Sequence, residues 1–173
     1  MKKQILTGVV FLSALAFAAQ DRFTLVSPSG ISFSEFRGYE TWQFVAPGVT
    51  NDQIKVIAAN PVMIAAYKEG FPANGKPVPD GAMLAKVEWA KKPSPEFPAQ
   101  ATVPGNLQAV EFMVKDSKRF PETNGWGYAD FRYEAASGAF TPYGNASTSK
   151  TFCHQCHTAV PQKDFVFTAF PVR

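Results

Sequence analysis

The sequence predicts an α+β fold: a mainly antiparallel β-sheet flanked by a few helices, with one short helix near the C-terminus. Three observations carry this expectation. Short segments with period-two hydrophobic alternation recur along the chain. Only one segment has both a strong helix start and a strong helix stop. Fourteen prolines among 173 residues leave little room for long helices. Strands that follow one another through short connections favour antiparallel pairing, with the helices segregated from the sheet.

The elements can be justified in order. Lys2 and Lys3 precede an apolar run from Ile5 to Phe17, and Ala16-Phe17-Ala18 forms a small-x-small site. This is the pattern of a signal peptide over residues 1–18, cleaved near Ala18. The run is shorter than the ~20 residues of a membrane span, and no later stretch is long enough. A retained N-terminal anchor is the other reading. Residues 19–173 are then one domain, about 155 residues and enough for a real core.

Residues 40–46 alternate, with Trp42 and Phe44 on one side, and residues 53–58 read as a second strand. The clearest helix follows: Asn60 as N-cap, Pro61 at the first helical position, an apolar interior through Tyr67, and Gly70 as the stop. Residues 71–80 are rich in Pro and Gly and read as loop. Asp80-Gly81 opens a strand over residues 82–89, with Met83, Ala85, Val87 and Trp89 on one face and Leu84, Lys86 and Glu88 on the other. Residues 91–105 hold four prolines and read as a long surface connection. Residues 107–114 and 125–133 are two more strands, 147–160 a short helix, and 165–170 a closing strand.

Loss of the leader removes two lysines, leaving 15 basic against 14 acidic residues. A nearly neutral chain argues against nucleic acid or an anionic membrane as partner.

The chemistry lies near the end. Residues 153–157 read Cys-His-Gln-Cys-His, and Cys153 and Cys156 are the only cysteines. C-x-x-C-H is the attachment signature for c-type haem. Two thiols at this spacing add to the two vinyl groups of one porphyrin, and the next residue, His157, comes under the ring as axial ligand to iron. The other histidine, His154, is held inside the attachment loop. The expectation is one covalent haem c, with Cys153 and Cys156 as thioethers and His157 on the metal, in an exported, periplasmic protein. Three competing readings are a thioredoxin-type pair, which should open a helix after a strand; a zinc site, which needs four well-spread ligands; and a plain disulfide.

A small soluble cytochrome c carries its motif early and a methionine ligand downstream. Here 16 residues follow His157 and none is Met. Four-helix cytochromes c′ need four long amphipathic helices, which this chain lacks. Met63, Met83 and Met113 each sit at positions readable as core. The sixth iron position is therefore expected to be open, with an apolar wall that admits small neutral ligands such as NO and CO. Phe44 and Phe71 are candidate members of that wall.

Several blocks, in order, resemble the cytochrome P-460 family, which includes hydroxylamine-oxidising cytochromes P-460 and β-sheet cytochromes c′-beta. They are Tyr39-x-x-Trp42; Asn60-Pro61 before a helix ending Tyr67-Lys68-x-Gly70; Asp80-Gly81 followed by Lys86; Val114-Lys115-Asp116-Ser117-Lys118-Arg119-Phe120 with Gly125-Trp126; and Val166-Phe167-Thr168-x-Phe170 after the haem motif. The resemblance covers about residues 39–172. It implies a mostly antiparallel sheet with flanking helices, a five-coordinate haem and a homodimer. In the oxidising members a lysine at the position of Lys86 is bonded to the porphyrin edge. Lys55 stands where those members carry an arginine, and residues 72–79 look longer than usual.

The resemblance implies two functions: hydroxylamine oxidation to NO or N2O, with Lys86 tuning the haem and a redox partner protein taking electrons; or a c′-beta-like protein that binds NO or CO without turnover. A plain electron-transfer cytochrome is the third and least favoured reading, because nothing supplies a strong sixth ligand. Lys86 as an ordinary strand lysine, paired with Glu88 or another carboxylate, belongs to the second. Glu111 and Asp130 are strand carboxylates whose facing the sequence leaves open.

Overall fold

The structure, a computed structural model, describes residues 20–173; the expected signal peptide lies outside the described residues. The fold is α+β, as the alternation predicts. One six-stranded antiparallel sheet runs in sequential order: β1 Gln43–Val49, β2 Gln53–Ala59, β3 Met83–Ser94, β4 Ala101–Lys115, β5 Trp126–Glu134 and β6 Ala139–Pro142. Helix α1 (Pro61–Lys68) lies between β2 and β3. A π-helical turn (Ser149–His154) runs into the short α2 (Gln155–His157) after the sheet is complete.

Helix α1 starts as its cap residues dictate. Asn60 Oδ1 accepts the Met63 and Met83 N–H groups, each at 3.0 Å, and Asn60 Nδ2 donates to the Gly81 carbonyl at 2.8 Å. One side chain thus caps the helix and fixes the entry of β3. The helix gives way at Gly70, whose φ of 98° suits glycine.

Three expectations differ. Residues 91–105 are mostly strand, not a connection. The β2 ladder ends opposite Ala90 and the β5 ladder ends opposite Ala109, so beyond them β3 and β4 pair only with each other. Pro93 and Pro104 lie on this two-stranded extension, where each strand has a free edge that can host a residue without an N–H. The closing segment 165–170 forms no ladder, and it opens with Phe165 in a left-handed conformation, φ 63°. It is held instead by burial of Val166 and by the Tyr67 hydroxyl donating to the Thr168 carbonyl at 2.8 Å. Residues 39–41 form a 3-10 turn, so β1 starts at Gln43. Strand β6, only four residues long, had no period strong enough to read.

The register gives the sheet two unlike faces. Ala85, Val87, Val110, Phe112, Ala129 and Phe131 occupy one, and residues 22–42 close over it. Phe33 and Phe36 are fully buried there. Phe36 stacks on Phe112 with ring centroids 4.0 Å apart, and Phe33 meets Phe112 and Phe131 at 5.2 and 4.8 Å. Arg119 anchors the clasp, donating to both Glu35 oxygens at 2.6 and 2.9 Å and to the Gly30 carbonyl at 2.6 Å. Gly127 allows the approach: a Cβ there would fall 2.4 Å from the Phe120 ring. The other face carries Leu84, Lys86 and Glu88, as the alternation of β3 predicts, and receives the C-terminal helix and tail.

Candidate haem-binding site

Cross-strand pairing orders the second face in rows. One row reads Leu84, Met113 and Tyr128; the next reads Lys86, Glu111 and Asp130; a third brings Lys55 of β2 opposite Glu88. The surface therefore grades from apolar to charged over two residues of strand. A cavity of about 420 Å³ lies between these rows and the C-terminal segment, within the usual range for cofactor sites. Cys153, Cys156 and His157 line one side, Lys86 and Asp130 the other, and Val166 and Phe167 complete it.

The π-helical turn and α2 place Cys153 and Cys156 three residues apart on one face. Both are free thiols. Burial pushes the Cys153 thiol up to about 11, so it is not the activated thiolate of a redox pair. The His157 Nδ1 donates to the Phe165 carbonyl at 2.7 Å. A carbonyl can only accept, so the proton sits on Nδ1 and the Nε2 lone pair is free for a metal. Burial lowers the His157 pKa, which favours the neutral imidazole that ligation needs. His154 is buried elsewhere, its Nδ1 3.1 Å from the Tyr128 hydroxyl.

Lys86 lies 3.2 Å from Glu88, as does Lys55, and Lys86 also pairs with Glu111. Burial opposes charge on Glu88, but the two lysines outweigh it and hold the carboxyl below its ordinary range. Burial opposes charge on Lys86 too, yet Glu111 and Glu88 hold its ammonium above its ordinary pKa. Asp130 differs. It is 8% exposed, Arg132 reaches Oδ2 at 2.6 Å, and Oδ1 has no partner.

The structure places neither Phe44 nor Phe71 in the cavity. Phe44 projects from edge strand β1 with Arg173 5.0 Å from its ring, and Phe71 is buried against Tyr67 with centroids 5.6 Å apart. The apolar wall comes instead from Ile57, Leu84, Met113, Val166 and the aromatics Phe152 and Phe167. Met113, read from the sequence as core, and Arg132 are also at the cavity. Their facing follows from the cross-strand register, which no single-strand period supplies.

The chain matches the family described as Cytochrome P460 over residues 36–168. It belongs to the cytochrome P460 family. No curated protein matches it. Cytochrome P460 membership makes this a c-type haem protein. The residues present fit that group: two unpaired thiols, an imidazole with its metal-binding nitrogen free, and an unpartnered buried carboxylate oxygen meet at one cavity. Among the described residues no helix is long and apolar enough to cross a membrane.

Asp130 supplies one prediction for this family member. Burial, then Glu111, raise its carboxyl to about 6, against Arg132 and Lys86. A raised acid binds its proton more tightly in the folded state than in the unfolded one. Folding is unpenalised below the ordinary value of about 4, and stability falls as pH rises from there through 6. About 2 units correspond to about 3 kcal/mol. Asp130→Asn should therefore stabilise the haem-free protein by up to about 3 kcal/mol at pH 7.5, with the gain gone near pH 4. Denaturant unfolding at both pH values checks this; an equal difference at the two would contradict it.

Proposed function

We propose that the protein is an exported, periplasmic mono-haem cytochrome P460 that oxidises hydroxylamine to NO or N2O. The haem is covalent through Cys153 and Cys156, with His157 as axial ligand. The observation that carries this reading is the convergence of Lys86 with Cys153, Cys156 and His157 on one cavity. When bound, the haem supplies an open iron position and the route for electrons.

The chain's own residues supply the rest. Leu84, Ile57 and Met113 exclude water from the apolar end. Oxidising hydroxylamine to NO releases three protons and three electrons. The electrons leave to a redox partner protein. Asp130, its carboxyl raised to about 6, is the group suited to accept protons, and Glu111, opposite it in the ladder, can pass them on. No nucleic acid or membrane contact is part of this reading, and the protein acts as a homodimer.

A second reading is favoured by the ion pairs of Lys86. An ammonium already matched by Glu88 and Glu111 has no electrostatic need for a bond to the ring, as in a c′-beta-like protein that binds NO or CO without turnover. Ferrous protein should bind CO and NO at neutral pH under either reading. Hydroxylamine with an excess of an artificial acceptor separates them: sustained reduction of the acceptor supports the enzyme. Binding without turnover supports the NO protein. A six-coordinate low-spin spectrum with no CO binding would leave only electron transfer.

A further inference from the structure

The most heavily braced feature outside the cavity is the turn that faces the axial histidine. Asp164 and Phe165 both have left-handed backbones, with φ of 42° and 63°. Phenylalanine rarely adopts this conformation, so something must hold it. Lys115, 5% exposed, reaches both Asp164 carboxylate oxygens at 2.9 Å and the Asn124 carbonyl at 2.9 Å. The Val78 N–H donates to Asp164 Oδ2 at 2.8 Å, and Trp126 Nε1 donates to the Asp164 carbonyl at 2.8 Å. Lys115 also lies 5.0 Å from the Trp126 ring. Three residues distant from it in sequence, Val78, Lys115 and Trp126, converge on Asp164. The next carbonyl along, that of Phe165, accepts the His157 Nδ1 hydrogen bond.

We infer that Lys115, Asp164 and Trp126 are positioning residues for the axial histidine. They lock the Asp164–Phe165 turn so that the Phe165 carbonyl holds a short hydrogen bond to His157, and that bond sets how strongly the imidazole donates to iron. The chemistry is general: a metal-bound histidine whose other N–H is held by a fixed acceptor is more basic and keeps one ring orientation. A stronger donor favours ferric over ferrous iron and stiffens the iron–histidine bond. Removing Asp164's charge would free the turn to relax toward ordinary backbone, carrying the Phe165 carbonyl away from Nδ1.

The inference rests on His157 being the axial ligand. The test uses the ferrous holoprotein, with the iron–histidine stretch read by resonance Raman and the midpoint potential by titration. In Asp164→Asn the stretch should move to lower frequency and the potential should rise. Trp126→Phe, which loses a single tether, should move both in the same direction by less, and it decides the matter if Asp164→Asn does not fold. Glu35→Gln loosens the remote Arg119 pair and should lower stability while moving neither. Wild-type values in both folded variants would overturn the positioning role and leave the haem reading intact. A ferrous spectrum unchanged in His157→Ala would overturn His157 as axial ligand, and this inference with it.

Discussion

Replacing Cys153 and Cys156 together by alanine should abolish covalent haem. Both thiols line the cavity beside His157, and no other cysteine exists to substitute for either. Each single variant keeps one thiol and should keep one thioether. The effect is therefore all-or-none only in the double variant. Acid-acetone extraction followed by haem staining of the protein band checks it. Wild type and single variants should retain the stain, and the double variant should release all of its haem. Free haem recovered from the wild type would remove the covalent assignment, whatever the spectrum.

Substituting Lys86 has the second large effect. In the protein without a cross-link its ammonium is held protonated by Glu111 and Glu88, so bond formation must first remove a proton. A bond to the ring would replace one N–H and one porphyrin-edge C–H, with two protons and two electrons going to an oxidant such as peroxide, reduced to water. Peptide mapping of the digested holoprotein reads the outcome directly. Haem joined to both the Lys86 peptide and the Cys153–His157 peptide means the enzyme; haem on the latter alone means the binder. Lys86→Met should eliminate the second attachment and, with it, hydroxylamine turnover. It should also leave Glu88, almost fully buried, with Lys55 at 3.2 Å as its one remaining cation and the Gln53 amide donating at 3.4 Å. Orphaning a fully buried charge costs about 3–5 kcal/mol. Because Lys55 remains and Lys86 is partly solvent-exposed, about 1–2 kcal/mol is expected here. Retained turnover in a variant that lacks the lysine bond would sink its tuning role.

How much of this was legible follows from where the information resides. The alternation of β3 placed Lys86 with Leu84 and Glu88 because strand period is local. The motif named its own three residues. The cap of α1 was readable because Asn60-Pro61 acts within four positions. What failed was non-local. Phe44 and Phe71 were nominated on abundance, but a phenylalanine's destination depends on which surface its strand or turn meets. Pro93 and Pro104 suggested a loop because the absence of neighbours on β2 and β5 is invisible along the chain. The most specific family-like block, residues 114–120 with Gly125-Trp126, gains a reason only in three dimensions. Lys115 and Trp126 grip Asp164, Arg119 grips Glu35, and Phe120 fills the space left by Gly127.

The two unlike faces of the sheet have a genetic consequence. The face closed by Phe33 and Phe36 is packed by amino acids alone, whereas the other face lines the cavity that would hold the haem. Mutations then fall into two classes by address. Lesions such as Phe33→Ala or Phe112→Ala, each worth about 3–5 kcal/mol, deplete the polypeptide itself and are mended by compensating stabilisers anywhere in the chain. The double lesion Cys153→Ala with Cys156→Ala leaves the polypeptide in place but without covalent haem, and no distant stabiliser rescues it.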